Sequence, residues 1–563
     1  MWMLTVGIAS YRAIILDIAS KKIHRSTDGR EGTLMMILTQ FNAAKKTSFL
    51  TLLVVAGTSV SSLPSLGAVS IGAYAVGNHS SCGASNIPGT IVELDKFFDS
   101  KDYPVEFEKN FYWKDAQVKQ ADWTKNGDFQ SSSTTNNGFD GADASLLTYI
   151  ASHGVTSSGV YKALAGSKNF GGCYIPTTSL ELGNNSSRYT ILSTCQGLKI
   201  GSGDYPNSSG ENPSKTWKNA AKGLNCIFGY SNNMADDDGY GEYFLTNIKD
   251  GSNSLSKAFM DASESVYSDN IPAVLCFGAD EQDAANYIQN NKIFEADSRA
   301  NAASSWVYRM VTPTTSSKQS ASEIPALLRL RTKQFNMEKI VRLFLGQGVL
   351  KKKTNNHRVT LWGSSGRATY DQINGTFVIQ NRLIDTVKSE DVPDLTEAEK
   401  IARHVLNISG IQKLAGTTVL ASTSEEVLGG IKGISRVLAR KFTYKQELAG
   451  ATALSQQGSV DVTVGPGGIV TEIKSALLEI DPSSKALQRP TNISAQFDDL
   501  ELKAIQNVAK RAPGANYRVI KHRIGYDAGN YHHLKSPAPA VIEIIVEAGL
   551  GEYRRNYIEK INL

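Results

Sequence analysis

Two stretches decide how this chain is read: Leu146-Leu147-Thr148-Tyr149-Ile150-Ala151-Ser152-His153-Gly154 and Tyr189-Thr190-Ile191-Leu192-Ser193-Thr194-Cys195-Gln196-Gly197. Each is a mostly apolar run of strand length that stops at a reactive side chain close to a glycine. In an open parallel sheet, sites assemble where the strands give out at their carboxyl ends. Two such ends lying side by side would bring an imidazole up to a thiol, the pairing that a thiolate nucleophile needs. Alone, His153-Gly154 or Cys195 would carry little. The weight comes from the order: strand–His–Gly, then strand–Cys, then a strand closing on Gly229-Tyr230-Ser231.

Outward from these strands the same rhythm continues. Residues 69–77 and 103–113 read as strands, with helical spacing over 87–98 between them. A Ser/Asn-rich loop occupies 126–138, and Asp140 and Asp143 stand ahead of the His153 strand, placed to cap its entry or orient the histidine. Residues 225–230 and 271–278 read as strands, and 241–248 and 254–267 as helices. Strands alternating with helical segments predict an α/β layer with a mostly parallel sheet covered on both faces. The Thr/Ser-rich stretch 312–322, with Pro313, reads as a linker. Beyond it the pattern changes to long strands separated by helices. A hairpin over 366–386 turns at Asn374-Gly375. Thr396-Glu397-Ala398-Glu399 reads as a capping box opening a helix whose Ile401, Ala402, Val405, Leu406 and Ile408 share a face. Strands over 442–447 and 459–473 follow, the second bent at 465–468. A weaker copy comprises helix 500–509 and strands 517–526 and 540–549, so two α+β units in tandem are expected.

At 563 residues the chain exceeds one core. With 41% hydrophobic and 20% charged residues it is globular, and a net charge of +5 spread along the chain gives no support for nucleic-acid binding. Five cysteines (82, 173, 195, 226 and 276) are too few for a disulfide scaffold, and their odd number leaves at least one thiol free. Cys226 and Cys276 fall in apolar strands and read as core; Cys173 is open to pairing in an oxidising compartment. Neither the cysteines nor His532-His533 have zinc-ligand spacing, and the glycines at 465–468 are misplaced for a phosphate loop, so no metal or cofactor is expected. Near the start, Lys45-Lys46, the apolar run 49–56 and the small-residue stretch 57–68 follow the order of a secretory signal peptide, with cleavage after Ala68 and translation from Met35 or Met36. The apolar run is too short to span a bilayer, so no stable membrane insertion is expected after cleavage.

The His-Gly and Cys strands resemble the caspase-like (clan CD) cysteine peptidases, which include caspases, legumains, gingipains, clostripain and CHAT-type peptidases. The resemblance covers roughly residues 69–310 and extends to Asp250-Gly251-Ser252-Asn253-Ser254-Leu255-Ser256-Lys257-Ala258, similar to a helix start of CHAT-type members. Phe111-Tyr112-Trp113 and Asp122-Trp123 resemble an uncharacterised secreted bacterial family of this fold. The resemblance implies a three-layer αβα sandwich in which Cys195 attacks a peptide carbonyl and His153 handles the proton. The Gly154 and Cys195 N–H groups would form the oxyanion hole. Asp236, Asp237 and Asp238 are candidates for a pocket that takes Arg or Lys, and His79 for a substrate-contacting loop residue; His79 with Cys82 is a poor rival dyad. The segments 442–447 and 458–470 resemble PepSY and fungalysin/thermolysin-propeptide domains (PepSY/cystatin-like α+β units), which inhibit or chaperone secreted peptidases from the N-terminal side; here the placement is C-terminal, and a structural accessory or adhesion role is the alternative.

The expected organisation is an upstream extension and signal peptide (1–68), a caspase-like peptidase domain (69–311), a linker (312–325), a PepSY-like unit (326–480) and a second, partial α+β unit (481–563). The expected function is a secreted or periplasmic, cell-envelope cysteine endopeptidase acting on protein or peptide substrates and restrained by its C-terminal region. Self-cleavage is expected near Lys318 or Lys351-Lys352-Lys353. The alternative is a catalytically silent caspase-like surface or binding protein.

Overall fold

The computed structural model describes residues 68–124, 141–199, 216–249, 254–291, 294, 305–316, 323–333, 337–346, 350–381, 391–482, 490–492 and 496–563, apart from a few positions within these spans. The signal-peptide reading, Asp140, Lys318 and the segment 250–253 lie outside the described residues. Among the described residues, no helix is long and apolar enough to cross a membrane.

The first half is built on strands β1 (Val69–Ala75), β2 (Phe107–Lys114), β3 (Leu147–Ala151), β4 (Gly154–Ser157), β5 (Val160–Leu164), β6 (Tyr174–Pro176), β7 (Tyr189–Ser193), β8 (Cys226–Tyr230), β9 (Pro272–Phe277) and β10 (Trp306–Ser316). The central sheet has the order β2-β1-β3-β7-β8-β9-β10. Its first five strands are parallel, and β9 and β10 run antiparallel to their neighbours. Strands β3, β7 and β8 are buried at every residue, which is why they read as continuous apolar runs rather than alternating ones.

Helices α1 (Gly89–Asp99), α2 (Tyr240–Lys249), α3 (Leu255–Val266) and α4 (Glu281–Asn290) pack on one face of this sheet through Phe97, Phe244, Phe259 and Ile288. Ser254 caps α3 by accepting the Lys257 N–H at 3.2 Å, and Asp280 caps α4 by accepting that of Asp283 at 2.8 Å. The opposite face departs from expectation. Among the described residues it is closed by Trp123, Tyr161 and Trp217 and by the small antiparallel sheet β4–β5–β6, not by long helices. Large aromatic side chains supply the buried area that a covering helix would otherwise give.

The stretch read as a linker begins as strand. Residues 306–316 form β10, which pairs with β9 on one side and with Thr418–Gly430 on the other. The β-branched threonines that look loop-like in sequence suit a strand, and Pro313 is tolerated because the register slips between Pro313 and Thr315. The sheet therefore continues, now antiparallel, through Gly433–Leu448, Ser459–Val464, Val470–Ala476, Thr376–Asn381, Gly366–Asp371 and Arg358–Gly363. Helices Met337–Leu345 and Leu395–Ile408 cover it around Phe377, Phe442, Val462 and Ile473. Three local expectations are corrected. The N-cap is Asp394, which accepts the Glu397 N–H at 2.9 Å, not Thr396. Ile408 is exposed. The bend at 465–468 is a full reversal between antiparallel strands. Lys351, Lys352 and Lys353 are exposed but held in a β-hairpin.

A second core follows from helix Phe497–Arg511 packed on Asn516–Tyr526, Ala538–Leu550 and Tyr553–Asn562. The last of these strands was not expected from sequence. Of the five cysteines, Cys82 bonds Cys173, and Cys226 bonds Cys276, its register partner across β8 and β9. The core assignment of the second pair is thus completed by a covalent bond, and Cys195 is left free.

Candidate functional site

Strands β3 and β7 are direct parallel neighbours, with Ala151 opposite Ser193. Two residues further on, His153 and Cys195 leave adjacent strand ends at the same level, and both are fully buried. The His153 ring is held from behind. Its Nε2 lies 2.7 Å from the Ser85 main-chain oxygen and 3.3 Å from Ser85 Oγ. A carbonyl only accepts, so Nε2 carries the proton and Nδ1 of the neutral ring is the acceptor. Nδ1 has no hydrogen-bond partner among the described residues. Burial pushes His153 down to about 4, against the opposing Ser85 bond. Burial also pushes the Cys195 thiol up to about 11, against the Arg555 guanidinium and a main-chain hydrogen bond at Met234. Near neutral pH this arrangement holds an uncharged imidazole and a protonated thiol.

The loop after the thiol is tightly fixed. Gln196 has a φ of 56°, unusual for a residue with a side chain and typical of strained functional turns. Its N–H donates to Asn232 O at 3.0 Å, its carbonyl accepts Thr156 Oγ1 at 2.6 Å, and Trp217 Nε1 donates to Gly197 O at 3.0 Å. A Cβ on Gly154 would stand 2.6 Å from Cys195 O and 2.9 Å from Thr194 Cβ. Gly154 is therefore required by the close approach of the Cys195 main chain, rather than by room for a substrate carbonyl.

The three aspartates do different things. Asp237 accepts the Gly239 N–H at 2.8 Å and shapes the turn into α2. Asp238 pairs with Lys96 at 2.6 Å on a half-exposed surface. Asp236 is buried against Arg555, a fully buried residue of the terminal strand, with Oδ1 3.2 Å from Nε. The geometry is that of an ion pair, not an aligned hydrogen bond, since Arg555 Nε and Nη2 and Asp236 Oδ1 make no hydrogen bond among the described residues. Arg555 Nη1 donates to Ser152 O at 3.2 Å. Glu93 contributes a second buried carboxylate, bonded by Tyr149 Oη at 2.6 Å and Ser193 Oγ at 2.9 Å; burial pushes it up to about 7 while Arg555 opposes. Asp143 accepts the N–H groups of Gly183, Asn185 and Ser187, so it organises the approach to β7.

His79 is fully buried with its ring 4.8 Å from that of His153. Burial, then His153, lowers its pKa well below the ordinary value. Cys82 is consumed by its disulfide, which removes the His79–Cys82 pairing from consideration.

The terminal strand crosses this site. Asn556 N–H donates to Met234 O at 3.3 Å, Asp236 N–H donates to Asn556 O at 2.6 Å, and Tyr557 Oη donates to Asn86 O at 3.2 Å. Tyr553 lies 6.0 Å from the His153 ring, centroid to centroid. A cavity of about 1600 Å³ lies elsewhere. It includes Asp236, Asp237 and Asp238 but neither His153 nor Cys195, and its walls are ion pairs joining the two halves of the chain: Arg523–Asp269 at 2.9 Å, Lys521–Asp269 at 2.6 Å and Lys441–Glu264 at 2.7 Å. These ion pairs tie the two halves together across the cavity.

Sequence reasoning missed Arg555, Glu93 and Ser85. The alternation Tyr553-Arg554-Arg555-Asn556-Tyr557 is a strand signal, but nothing local marks which arginine turns inward. Residues 76–309 match a family model described as a domain of unknown function (DUF6345). No curated protein matches the chain. Among solved structures, an uncharacterized protein from Eubacterium rectale ATCC 33656 is similar at 9% identity and a TM-score of 0.27, over 43% of this chain and 83% of that one. That likeness is too low to assign a shared fold.

Proposed function

We propose that the ends of β3 and β7 form the nucleophilic centre of a caspase-like cysteine endopeptidase. One observation carries the reading: a main-chain acceptor fixes His153 through Nε2 and leaves Nδ1 bare, level with the one cysteine that is not disulfide-bonded. In the proposed step, Nδ1 takes the thiol proton as Sγ attacks the peptide carbonyl, and returns it to the leaving amine to give a thioester. Water, deprotonated by the same nitrogen, then hydrolyses the thioester. Two disulfides support a secreted or cell-envelope setting, and the C-terminal α+β units would serve as the restraint. A catalytically silent binding protein is favoured by one observation: in the closed arrangement no hydrogen bond joins His153 to Cys195 among the described residues.

Peptidyl chloromethyl ketones with varied P1 side chains separate the two. The expected result is an adduct on Cys195, seen by peptide mass mapping, that is lost in His153→Ala. No adduct with any P1 side chain, in the wild type or in Arg555→Ala, would overturn the peptidase reading. Iodoacetamide gives a pH test. With the thiol pushed up to about 11, alkylation of the closed protein at pH 7.5 is expected to be roughly a hundredfold slower than for an ordinary thiol, rising through pH 9 to 11.

A further inference from the structure

We propose that the pocket formed by Asp236 and the Ser152 carbonyl recognises the arginine side chain of a peptide substrate, and that Arg555 is its resident occupant, inserted by the chain's own last strand. The proposal rests on the reading of Cys195 as nucleophile and adds to it a substrate class and a means of restraint.

The occupant is not explained as core. Arg554, its neighbour, is exposed and pairs with Glu547 at 2.8 Å, as a strand arginine ordinarily does. Arg555 has no exposed surface and is taken up by the catalytic half of the chain. A buried ion pair is a weak source of stability, and an apolar side chain of similar volume would fill the space at less cost. The acceptors suit a guanidinium: Ser152 O faces one Nη while the Asp236 carboxylate lies against Nε, a divergence that a single ammonium cannot match. Ser152 immediately precedes His153, so a side chain bound here is aligned with the reacting strand ends. Arg555 is also incompletely satisfied, since Nε and Nη2 make no hydrogen bond among the described residues. That suits a group that must leave.

The strand is held beside the pocket by the two main-chain bonds of Asn556 and by Tyr557, and behind it by pairing with Ala538–Leu550. Because it is tethered, it competes at an effective concentration in the millimolar range, so a weak fit suffices.

The test uses the full chain. Arg555→Ala should bind agmatine, an arginine side-chain mimic, by calorimetry, whereas the wild type and Asp236→Asn/Arg555→Ala should not. The same variant should react with an arginyl chloromethyl ketone about a hundredfold faster than the wild type, the factor imposed by a tethered competitor of about 10 μM intrinsic affinity at a millimolar effective concentration. A norleucyl reagent should gain far less. Agmatine binding without any Cys195 adduct keeps the pocket and removes the peptidase reading. Adducts with no preference for arginine, together with no agmatine binding, overturn the pocket and keep the peptidase. Arg555→Gln, which retains a donor for Ser152 O, replaces Arg555→Ala should the latter fail to fold, and the same outcomes apply. Failure of both to fold also overturns the proposal, because an occupant that must leave cannot be indispensable to the fold.

Discussion

A Gly154→Ala chain is expected to be destabilised by about 3 kcal/mol and to lose most reactivity of Cys195 toward peptide electrophiles, although it adds a single methyl far from any protein surface. The methyl would sit 2.6 Å from Cys195 O and 2.9 Å from Thr194 Cβ. The carbonyl is main chain, fixed by the β7 register and by the Gln196 contacts with Thr156 and Asn232, so it cannot move aside cheaply. Overpacking of a well-filled interior typically costs about 1–3 kcal/mol and sometimes more. The two strand ends must part, and a displacement of about 1 Å at a reacting centre lowers rate by about a hundredfold. Gly159→Ala is the control. Gly159 has a φ of 75° in the β4–β5 turn with nothing within 4 Å of its added Cβ, so only left-handed strain is introduced, about 1 kcal/mol. It should leave Cys195 reactivity intact. Urea midpoints and adduct rates for both variants decide the matter. Equal loss of reactivity in the two would show that the Gly154 contact does not set the site.

The parts of this molecule legible in its sequence are those whose signal is local. Buried strands announce themselves as apolar runs, so β3, β7 and β8 and the side chains at their ends were readable, as were the helices with an apolar stripe. What was not readable depends on partners distant along the chain. Arg555 meets Ser152 across 403 positions, and no feature near residue 555 signals that contact. Three consecutive aspartates suggest one acidic patch. Yet their turn sends Asp236 inward to Arg555, Asp237 to the Gly239 N–H and Asp238 to Lys96. Cys226 and Cys276 read correctly as core, but only antiparallel register places them opposite one another. Pro313 suggests a linker until the register slip beside it is seen.

The buried charges at the site lead to the other large effect. Asp236→Ala is expected to cost about 3–5 kcal/mol, because it strands a buried guanidinium whose remaining bonded acceptor is Ser152 O. Arg555→Met alone should cost less, since burial raises the pKa of Asp236 and the carboxyl can take up a proton once the cation is gone. The double substitution should then recover most of the loss, leaving a coupling of a few kcal/mol in a double-mutant cycle, about the size seen for partners within one network. A cost below about 1 kcal/mol for Asp236→Ala would mean that the carboxylate does not hold the arginine. Glu93 adds a pH dependence of definite sign. Burial pushes its folded value up to about 7 from 4.5. A folded value above the unfolded one means that the protonated form is favoured by folding. Its contribution is therefore full below pH 4.5 and is lost as the pH rises through 7, with a slope of at most about 1.4 kcal/mol per pH unit. Between pH 5 and 7 the wild type should lose stability relative to Glu93→Gln, which cannot ionise. Parallel curves for the two proteins would place the titration elsewhere. Above pH 7 the ionised Glu93 faces Arg555 as a second anion, so the terminal strand should be gripped hardest in the range where cysteine and histidine chemistry is otherwise most favoured. Release of that strand, rather than the ionisation of Cys195 in isolation, would then set when the site becomes reactive.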